Sequence, residues 1–264
     1  MPPDRRPIPR VIPCLLVDDE AMVKTVRFEE GAYLGDPVNV INLFNRFEVD
    51  EITLLDVRAT VEDREPVFEL IEHLAAECWV PLSYGGGIRT IDDVRRILSS
   101  GVEKVVLGTV AADDPDLVTE ASRIFGVQAV IVAVDARRTG AGGYETFVAS
   151  GTRALGTDPA TYARLAASRG AGEILVTSID RDGTMEGYDV ELIRQVSEAV
   201  DVPVIACGGA GDRSDLAVPI QAGASAVAAG SIFVFQGRER GVLINFPDRP
   251  YLEGLLSPPL PTTG

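Results

Sequence analysis

Short apolar runs recur along the chain, and most are separated by stretches in which apolar residues return every three or four positions. The runs predict eight buried strands: RVIPCLLV, EITLLDV, VPLSY, EKVVLG, AVIVAVD, EILVTS, VPVIAC and SAVAAG. The intervening pattern predicts amphipathic helices, among them FELIEHLAAEC, IDDVRRILSSG, PDLVTEASRIFG and VELIRQVSEAV. This alternation favours an α/β fold, a parallel (β/α)8 TIM barrel that forms a single domain over residues 1–264. A doubly wound open sheet is less favoured, because no strand is followed by a G-x-G-x-x-G turn with an acidic residue about 20 positions later.

The second half of the chain repeats the first at an offset of 122 residues. The segment VPLSYGGGIRTIDDVRRILSSGVEKVVLGT aligns with VPVIACGGAGDRSDLAVPIQAGASAVAAGS. Identical residues stand in register at five pairs of positions: Pro81 and Pro203, Gly86 and Gly208, Gly87 and Gly209, Gly101 and Gly223, Gly108 and Gly230. Because unrelated strands and helices do not hold one register over such a span, we expect two similar half-barrels with two equivalent sites on the C-terminal face.

Composition narrows the functional classes. The 264 residues carry a net charge of −16 without a basic stripe, which argues against a nucleic-acid-binding surface. There is no signal peptide and no run of about 18 apolar residues. The three cysteines, Cys14, Cys78 and Cys207, lack metal-ligand spacing and favour reduced thiols. We therefore expect a cytoplasmic protein without a membrane partner, and the sequence indicates neither a metal nor a cofactor.

Clustered glycines follow one predicted strand in each half. Glycine allows the backbone to approach a ligand closely and to direct N–H groups at it, and a hydroxyl beside a helix N-terminus adds to an anion site. The alternative is that these glycines only form tight turns. Two clusters in register favour two phosphate sites, formed by Gly86, Gly87, Gly108 and Thr109 in one half and by Gly208, Gly209, Gly230 and Ser231 in the other.

Several of these segments resemble one protein family. VIPCL, GDP, YGGGI, GAGEILVTSIDRDGTMEGYD and GGAG are similar to motifs of the cyclase subunit of imidazole glycerol phosphate synthase. The resemblance extends from Arg10 to Phe235. It implies a barrel that accepts ammonia from a separate glutaminase subunit and uses it on a phosphorylated substrate, with two aspartates, one per half-barrel, as general acid and base.

One of these aspartates corresponds to Asp135, at the end of the strand AVIVAVD. A carboxylate at the C-terminal end of a barrel strand is suited to proton transfer, although a solvated or salt-bridged loop carboxylate is the alternative. The partner position, which follows IPCL in the first strand, holds Leu16. Because leucine transfers no proton, this departure puts the family's cyclisation in doubt, unless Asp18 or Asp19 replaces the missing group.

A second resemblance fits this departure. IPCLL, YGGGI with Tyr84 before the glycines, and the tail FVFQGRERGVLINFP are similar to a divergent branch of the family that is associated with acetamidino groups on bacterial surface sugars. The resemblance implies that the barrel and its glutaminase supply ammonia to a separate sugar amidotransferase, whose substrate is a phosphorylated small molecule or nucleotide sugar. Two other functions stay open: imidazole glycerol phosphate synthesis in the histidine pathway, and a non-catalytic scaffold that binds a glutaminase and conducts ammonia.

The resemblance to the family also assigns further residues. Lys24, in the loop after the first strand, and Asp56, at the end of LLD, match catalytic-site positions of the family. Thr177, Asp180 and Asp182 in TSIDRDG match substrate-site positions, although the two aspartates are also typical of a turn.

Four charged residues stand at the starts of the first, second, fourth and sixth predicted strands. They match the family's charged ring at the glutaminase-facing end. Two cations and two anions neutralise one another where isolated buried charge is costly. We expect them to gate ammonia entry, the alternative being ordinary surface charges. The ring consists of Arg10, Glu51, Lys104 and Glu173.

Overall fold

Eight parallel strands close into a barrel in the computed structural model, which describes residues 8–29, 31–237 and 240–257. Each predicted apolar run forms one strand, and each of the eight strands pairs in parallel with both of its neighbours around the barrel. The ends of the predicted single domain, residues 1–7 and 258–264, lie outside the described residues. The strands are β1 (Arg10–Asp18), β2 (Ile52–Asp56), β3 (Leu82–Gly85), β4 (Lys104–Leu107), β5 (Val130–Arg138), β6 (Glu173–Ser178), β7 (Val204–Cys207) and β8 (Ala226–Ala229).

Helices connect the successive strands and cover the outside of the barrel. Several begin at a side-chain cap, such as Thr90, whose hydroxyl accepts from the Asp93 N–H in a capping box. The α-helices are Pro37–Arg46, Phe68–Glu77, Ile91–Ser99, Thr109–Asp113, Pro115–Phe125, Pro159–Ser168, Val190–Ser197, Val218–Gln221, Ser231–Val234 and Arg249–Leu256. Short 3-10 helices span Val127–Ala129 and Arg213–Ala217. None of the described helices is long and apolar enough to cross a membrane.

Strand alternation divides the core into two layers. Along β1, Val11 and Leu15 belong to the large apolar layer between the strands and the helices. Ile12 and Cys14 point the other way, into a smaller apolar cluster inside the barrel. The barrel interior is therefore filled mainly by aliphatic side chains from most strands.

The two half-barrels match in backbone conformation as well as in sequence. Strand β3 begins at residue 82 and β7 at residue 204, 122 residues later, and β4 and β8 begin at residues 104 and 226 with the same separation. Gly86 and Gly208 both have positive φ, at 120° and 90°. A side chain at Gly86 is excluded, because its Cβ would lie 2.4 Å from the Asp56 carbonyl oxygen.

Antiparallel extensions stand at the C-terminal end of the barrel. After β1 the chain forms the strands Ala21–Lys24 and Ala32–Gly35, and after β5 it forms Tyr144–Val148 and Arg153–Ala154. These extensions rise around the ends of the strands, so they form the side walls of the cavity that lies there. A small hairpin, Phe235–Gln236 with Gly241–Val242, follows β8.

Candidate active site

A cavity of about 1140 Å³ opens at the C-terminal ends of the strands. Its floor is formed by inward-facing residues of several strands, including Cys14, Leu55, Val106, Ala133, Leu175 and Cys207. The residues predicted for the site that line it are Asp56, Gly86, Gly87, Gly108, Thr109, Asp135 and Thr177. Residues separated by up to 121 positions in sequence thus share one wall, as the barrel topology requires.

Asp135 lies deep in this cavity, at the C-terminal half of β5. Burial raises the pKa of its carboxyl to about 7, the negative charge of Asp182 acts in the same direction, and a hydrogen bond from the Thr177 hydroxyl opposes the rise. A group whose pKa lies near neutrality is present in both protonation states at physiological pH. Asp135 is therefore suited to act as a general acid or a general base.

Leu16 faces the same cavity from β1 and is almost fully buried. It pairs in register with Leu55 of β2, so that two leucines line this side of the cavity. Asp18, two residues further along β1, also lines the cavity, and its carboxylate lies 3.7 Å from the Arg64 guanidinium. Asp19 lies 3.9 Å from Arg64 and has a left-handed backbone, with φ of 55°.

Asp56 is buried at the end of β2 and organises the loop that follows. Its carboxylate accepts hydrogen bonds from the N–H groups of Arg58, at 3.0 Å, and Ala59, at 2.9 Å, and lies 3.3 Å from Arg64. Burial raises the pKa of Asp56, and the two N–H groups and Arg64 limit the rise. Most of its hydrogen-bonding capacity is thus used by the protein, which favours a positioning role.

Lys24 is buried behind the cavity wall. Its ammonium group donates to both carboxylate oxygens of Asp182, at 3.1 and 3.2 Å, and the Thr25 hydroxyl donates to the same carboxylate at 3.2 Å. Lys24 does not line the large cavity, whereas Asp182 does. The aliphatic part of Lys24 passes within 3.2 Å of the Cβ position of Gly230, so its positive charge lies beside the second glycine cluster.

The second glycine cluster forms a small separate recess. It is lined by Asp182, Gly183, Gly208, Gly209, Ala210, Ala229, Gly230 and Ser231. The Ser231 hydroxyl is buried and finds no hydrogen-bond partner among the described residues, so it is available to a ligand. In the first half, the Thr109 hydroxyl accepts from the Ala149 N–H at 2.9 Å, and its hydrogen stays available to an anion.

The four charged residues predicted at the strand starts lie together at the opposite end of the barrel. Arg10 donates to Glu51 at 2.5 Å and to Glu173 at 2.8 Å. Lys104 donates to the same two carboxylates, at 2.9 and 3.0 Å, which completes a closed ring of alternating charge. The Ser83 hydroxyl donates to Glu51 at 2.7 Å and fixes one corner of the ring.

Residues 10–238 match the model of a protein family described as "Histidine biosynthesis protein". The chain belongs to this family. A similar relative is the "putative imidazole glycerol phosphate synthase subunit hisF2" of Pseudomonas aeruginosa, which is 47% identical over 240 residues, 90% of this chain and 96% of the relative. The "putative imidazole glycerol phosphate synthase subunit HisF" of Leptospira interrogans is 45% identical over 249 residues, 94% and 98% of the two chains. The "imidazole glycerol phosphate synthase subunit HisF" of Metallosphaera sedula is 49% identical over 225 residues, 85% and 89% of the two chains.

Membership of the histidine biosynthesis family agrees with the fold and with the resemblance in sequence. Not every residue predicted for the site lines the cavity, however. The Asp180 carboxylate accepts from the Arg138 N–H at 2.7 Å and does not line the cavity. Arg64, which joins Asp18, Asp19 and Asp56, was not predicted, because an arginine in a polar loop gives no periodic signal. Leu55 was also missed, although the 122-residue offset that relates it to Thr177 identifies it.

Proposed function

We propose that this chain is the ammonia-accepting barrel subunit of a glutamine amidotransferase system. It works in the cytoplasm with a glutaminase and supplies ammonia to a separate amidotransferase, which forms acetamidino groups on a bacterial surface sugar. Family membership, the charged ring and the chemistry of the cavity support this proposal. The observation that carries it is the presence of Leu16 and Leu55 where a cyclisation reaction needs a proton-transferring group opposite Asp135.

Ammonia supply and cyclisation differ in the number of proton transfers that the barrel has to catalyse. Forming and closing an imidazole ring needs protons to be removed and returned at more than one atom, and one carboxyl group serves only one position at a time. Asp135, with a pKa raised to about 7 by burial, is present in this cavity. Leu16 contributes only an apolar surface. A neutral ammonia molecule crosses such a surface without a proton donor that converts it into ammonium.

The barrel interior offers a path for ammonia. The ring of Arg10, Glu51, Lys104 and Glu173 closes the N-terminal end. Above it lies a layer of apolar side chains, and above that layer lies the cavity with the glycine loops, which we propose bind a phosphorylated molecule. A path lined by aliphatic side chains and the buried free thiols of Cys14 and Cys207 offers ammonia no carboxyl or ammonium group from which to take a proton, which keeps it neutral and nucleophilic. The apolar layer comprises Ile12, Val106, Ile131, Leu175, Ile205, Ala226 and Ala228.

Imidazole glycerol phosphate synthesis is the second candidate function. It is favoured by the names of relatives that are 46 to 49% identical, and by the position of Asp18 on the cavity wall, two residues beyond Leu16. The ion pair between Asp18 and Arg64 weakens this candidate, because the Asp18 carboxylate, 3.7 Å from the guanidinium, is already engaged with the protein. A non-catalytic scaffold that binds the glutaminase and a phosphorylated ligand and only conducts ammonia is the third.

Reconstitution with two nitrogen sources tests the proposal. Sugar amidination is measured with the amidotransferase, the glutaminase and this barrel, first with glutamine and then with ammonium chloride. An ammonia-supplying barrel is required with glutamine and dispensable with ammonium. If amidination with glutamine proceeds equally well without the barrel, the proposal is wrong. If the barrel instead converts the histidine-pathway precursor at the rate usual for the family, the second candidate is correct.

A further inference from the structure

One large aromatic side chain stands out from the surface at the ring end of the barrel. Trp79 is 78% exposed, and it precedes β3 by three residues. A tryptophan left in water forgoes the burial of 150–250 Å² of mostly apolar surface. Two more apolar residues of the preceding connection, Leu43 and Phe47, are also exposed and lie four residues apart, on one face of the helix Pro37–Arg46 and its end.

The backbone that carries Trp79 is held in place. The buried Asn45 side chain accepts from the Trp79 N–H at 3.0 Å and donates to the Glu77 carbonyl at 2.7 Å. Phe47 is braced by an edge-on contact with the buried Phe44. The Asn45 side chain therefore joins the end of the helix Pro37–Arg46 to the loop that carries Trp79, so the exposure of Trp79 is a feature of an ordered loop. A rigid, exposed aromatic side chain loses little conformational entropy on binding, as is typical of interface anchors.

Trp79 lies on the same face as the charged ring. Ser83, four residues after Trp79 and in β3, donates to Glu51 of the ring, so at most about 14 Å of chain separates Trp79 from a ring contact. Val127, which precedes β5 by three residues, is also exposed at this end of the barrel. The ring is thus flanked by exposed apolar residues.

We infer that Leu43, Phe47 and Trp79 form the anchoring patch for the glutaminase subunit, with Trp79 as its main contact. The inference rests on the proposed function, since ammonia that enters through the ring must come from a protein that covers the ring and excludes water. A partner seated over Arg10, Glu51, Lys104 and Glu173 reaches across the rim to Trp79. The partner surface we expect is an apolar pocket beside the glutaminase's ammonia exit.

The chain contains a single tryptophan, so its fluorescence reports on this contact directly. Purified glutaminase subunit in which tryptophan is replaced by phenylalanine is titrated into the unmodified barrel. Burial of Trp79 in the complex should shift its emission to shorter wavelength and protect it from quenching by acrylamide. Trp79→Ala should raise the Kd measured by calorimetry by at least about 30-fold, the scale of an interface hot spot.

Tyr33→Ala is the matched control, because Tyr33 is a 70% exposed aromatic residue in the extension at the opposite end of the barrel. Its Kd should equal that of the unmodified barrel, and thermal unfolding checks that both variants are folded. If the glutaminase binds the unmodified barrel while Trp79 emission stays unchanged and Trp79→Ala binds as tightly, this inference alone is wrong. If the unmodified barrel does not bind a glutaminase at all, the proposed function fails with it. If the emission of Trp79 shifts to shorter wavelength as the barrel is concentrated without glutaminase, the patch mediates self-association and the inference is overturned.

Discussion

Leu16 occupies in the first half-barrel the place that Asp135 occupies in the second. Leu16 pairs in register with Leu55 across β1 and β2, and Asp135 pairs with Thr177 across β5 and β6. Leu55 and Thr177 are 122 residues apart, the offset of the internal repeat. One half therefore contributes a carboxyl group with a hydroxyl beside it, and the other half contributes two aliphatic side chains at the equivalent positions.

This relationship predicts a low rate in the histidine-pathway reaction. With ammonium as the nitrogen source, turnover of the imidazole glycerol phosphate precursor should be absent or at least about two orders of magnitude below that of a family member with both carboxylates. Leu16→Asp should raise it, and adding Leu55→Thr should raise it further by giving the new carboxyl the partner that Thr177 gives Asp135. Leu16→Asn is the control, since asparagine has nearly the shape of aspartate but no carboxyl proton to transfer. Turnover at the usual rate in the unmodified barrel would contradict both this prediction and the leading proposal.

The pKa of Asp135 predicts how stability depends on pH. Burial raises that pKa from 3.8 to about 7 in the folded state. Between these values the folded state binds more protons than the unfolded state, so this group's contribution to the free energy of unfolding falls as pH rises from about 4 to about 7. Asp135→Asn should remove this dependence and be more stable than the unmodified barrel at pH 8, with a smaller difference at pH 4.

Urea unfolding at both pH values measures the effect of Asp135→Asn. The exposed Asp201 offers a control for the loss of one negative charge, because Asp201→Asn leaves the cavity intact. Since only the difference between variant and unmodified barrel is compared, the other titrating groups largely cancel. An Asp135→Asn variant that is less stable at pH 8 would show that the carboxyl is not held in an unfavourable environment.

The sequence predicted the strands well because each is a buried run, and a buried run leaves a signal at every position. The two-residue period of a strand also fixes which of its residues share a face. Loop side chains follow no period. For this reason the sequence did not reveal that Lys24 turns back to Asp182, that Asp180 binds the Arg138 backbone, or that Arg64 collects carboxylates from two loops. These contacts depend on where two loops meet in space.

The second phosphate site predicts a substitution that weakens binding without weakening the fold. The Ser231 hydroxyl is buried, and none of the described residues accepts or donates a hydrogen bond to it. Ser231→Ala should therefore leave the unfolding temperature unchanged or slightly higher, while the affinity for inorganic phosphate at this site falls by roughly tenfold, the value of one hydrogen bond to a charged ligand.

Ser197→Ala is the matched control for that experiment. Its hydroxyl also lies buried with no partner among the described residues, but on the helix Val190–Ser197, away from the cavity. Calorimetric titration with phosphate should distinguish the two variants, and crystals grown in phosphate should hold one ion at Gly86–Thr109 and one at Gly208–Ser231. Equal phosphate affinity in both variants, or empty loops at saturating phosphate, would refute the interpretation of the glycine clusters as phosphate sites.

Lys104 predicts the effect of opening the ring. It donates to Glu51 at 2.9 Å and to Glu173 at 3.0 Å, and it is mostly buried. Lys104→Ala leaves the two glutamates facing Arg10 alone, so one negative charge at the barrel entrance is uncompensated. The ring should then loosen and its fit to the glutaminase should suffer. We expect amidination with glutamine to fall well below amidination with added ammonium, which the separate amidotransferase uses without the barrel.

Amidination with ammonium does not need the barrel, so thermal unfolding first has to show that Lys104→Ala is folded before a loss of glutamine-dependent activity is assigned to the ring. Lys104→Arg keeps the positive charge at the same corner and should retain more of the glutamine-dependent activity than Lys104→Ala. A gate and a structural ion pair therefore predict different ratios of the two activities. If a folded Lys104→Ala variant retains full glutamine-dependent activity, the ring does not control ammonia entry, and Arg10, Glu51, Lys104 and Glu173 serve only to neutralise one another at the end of the barrel.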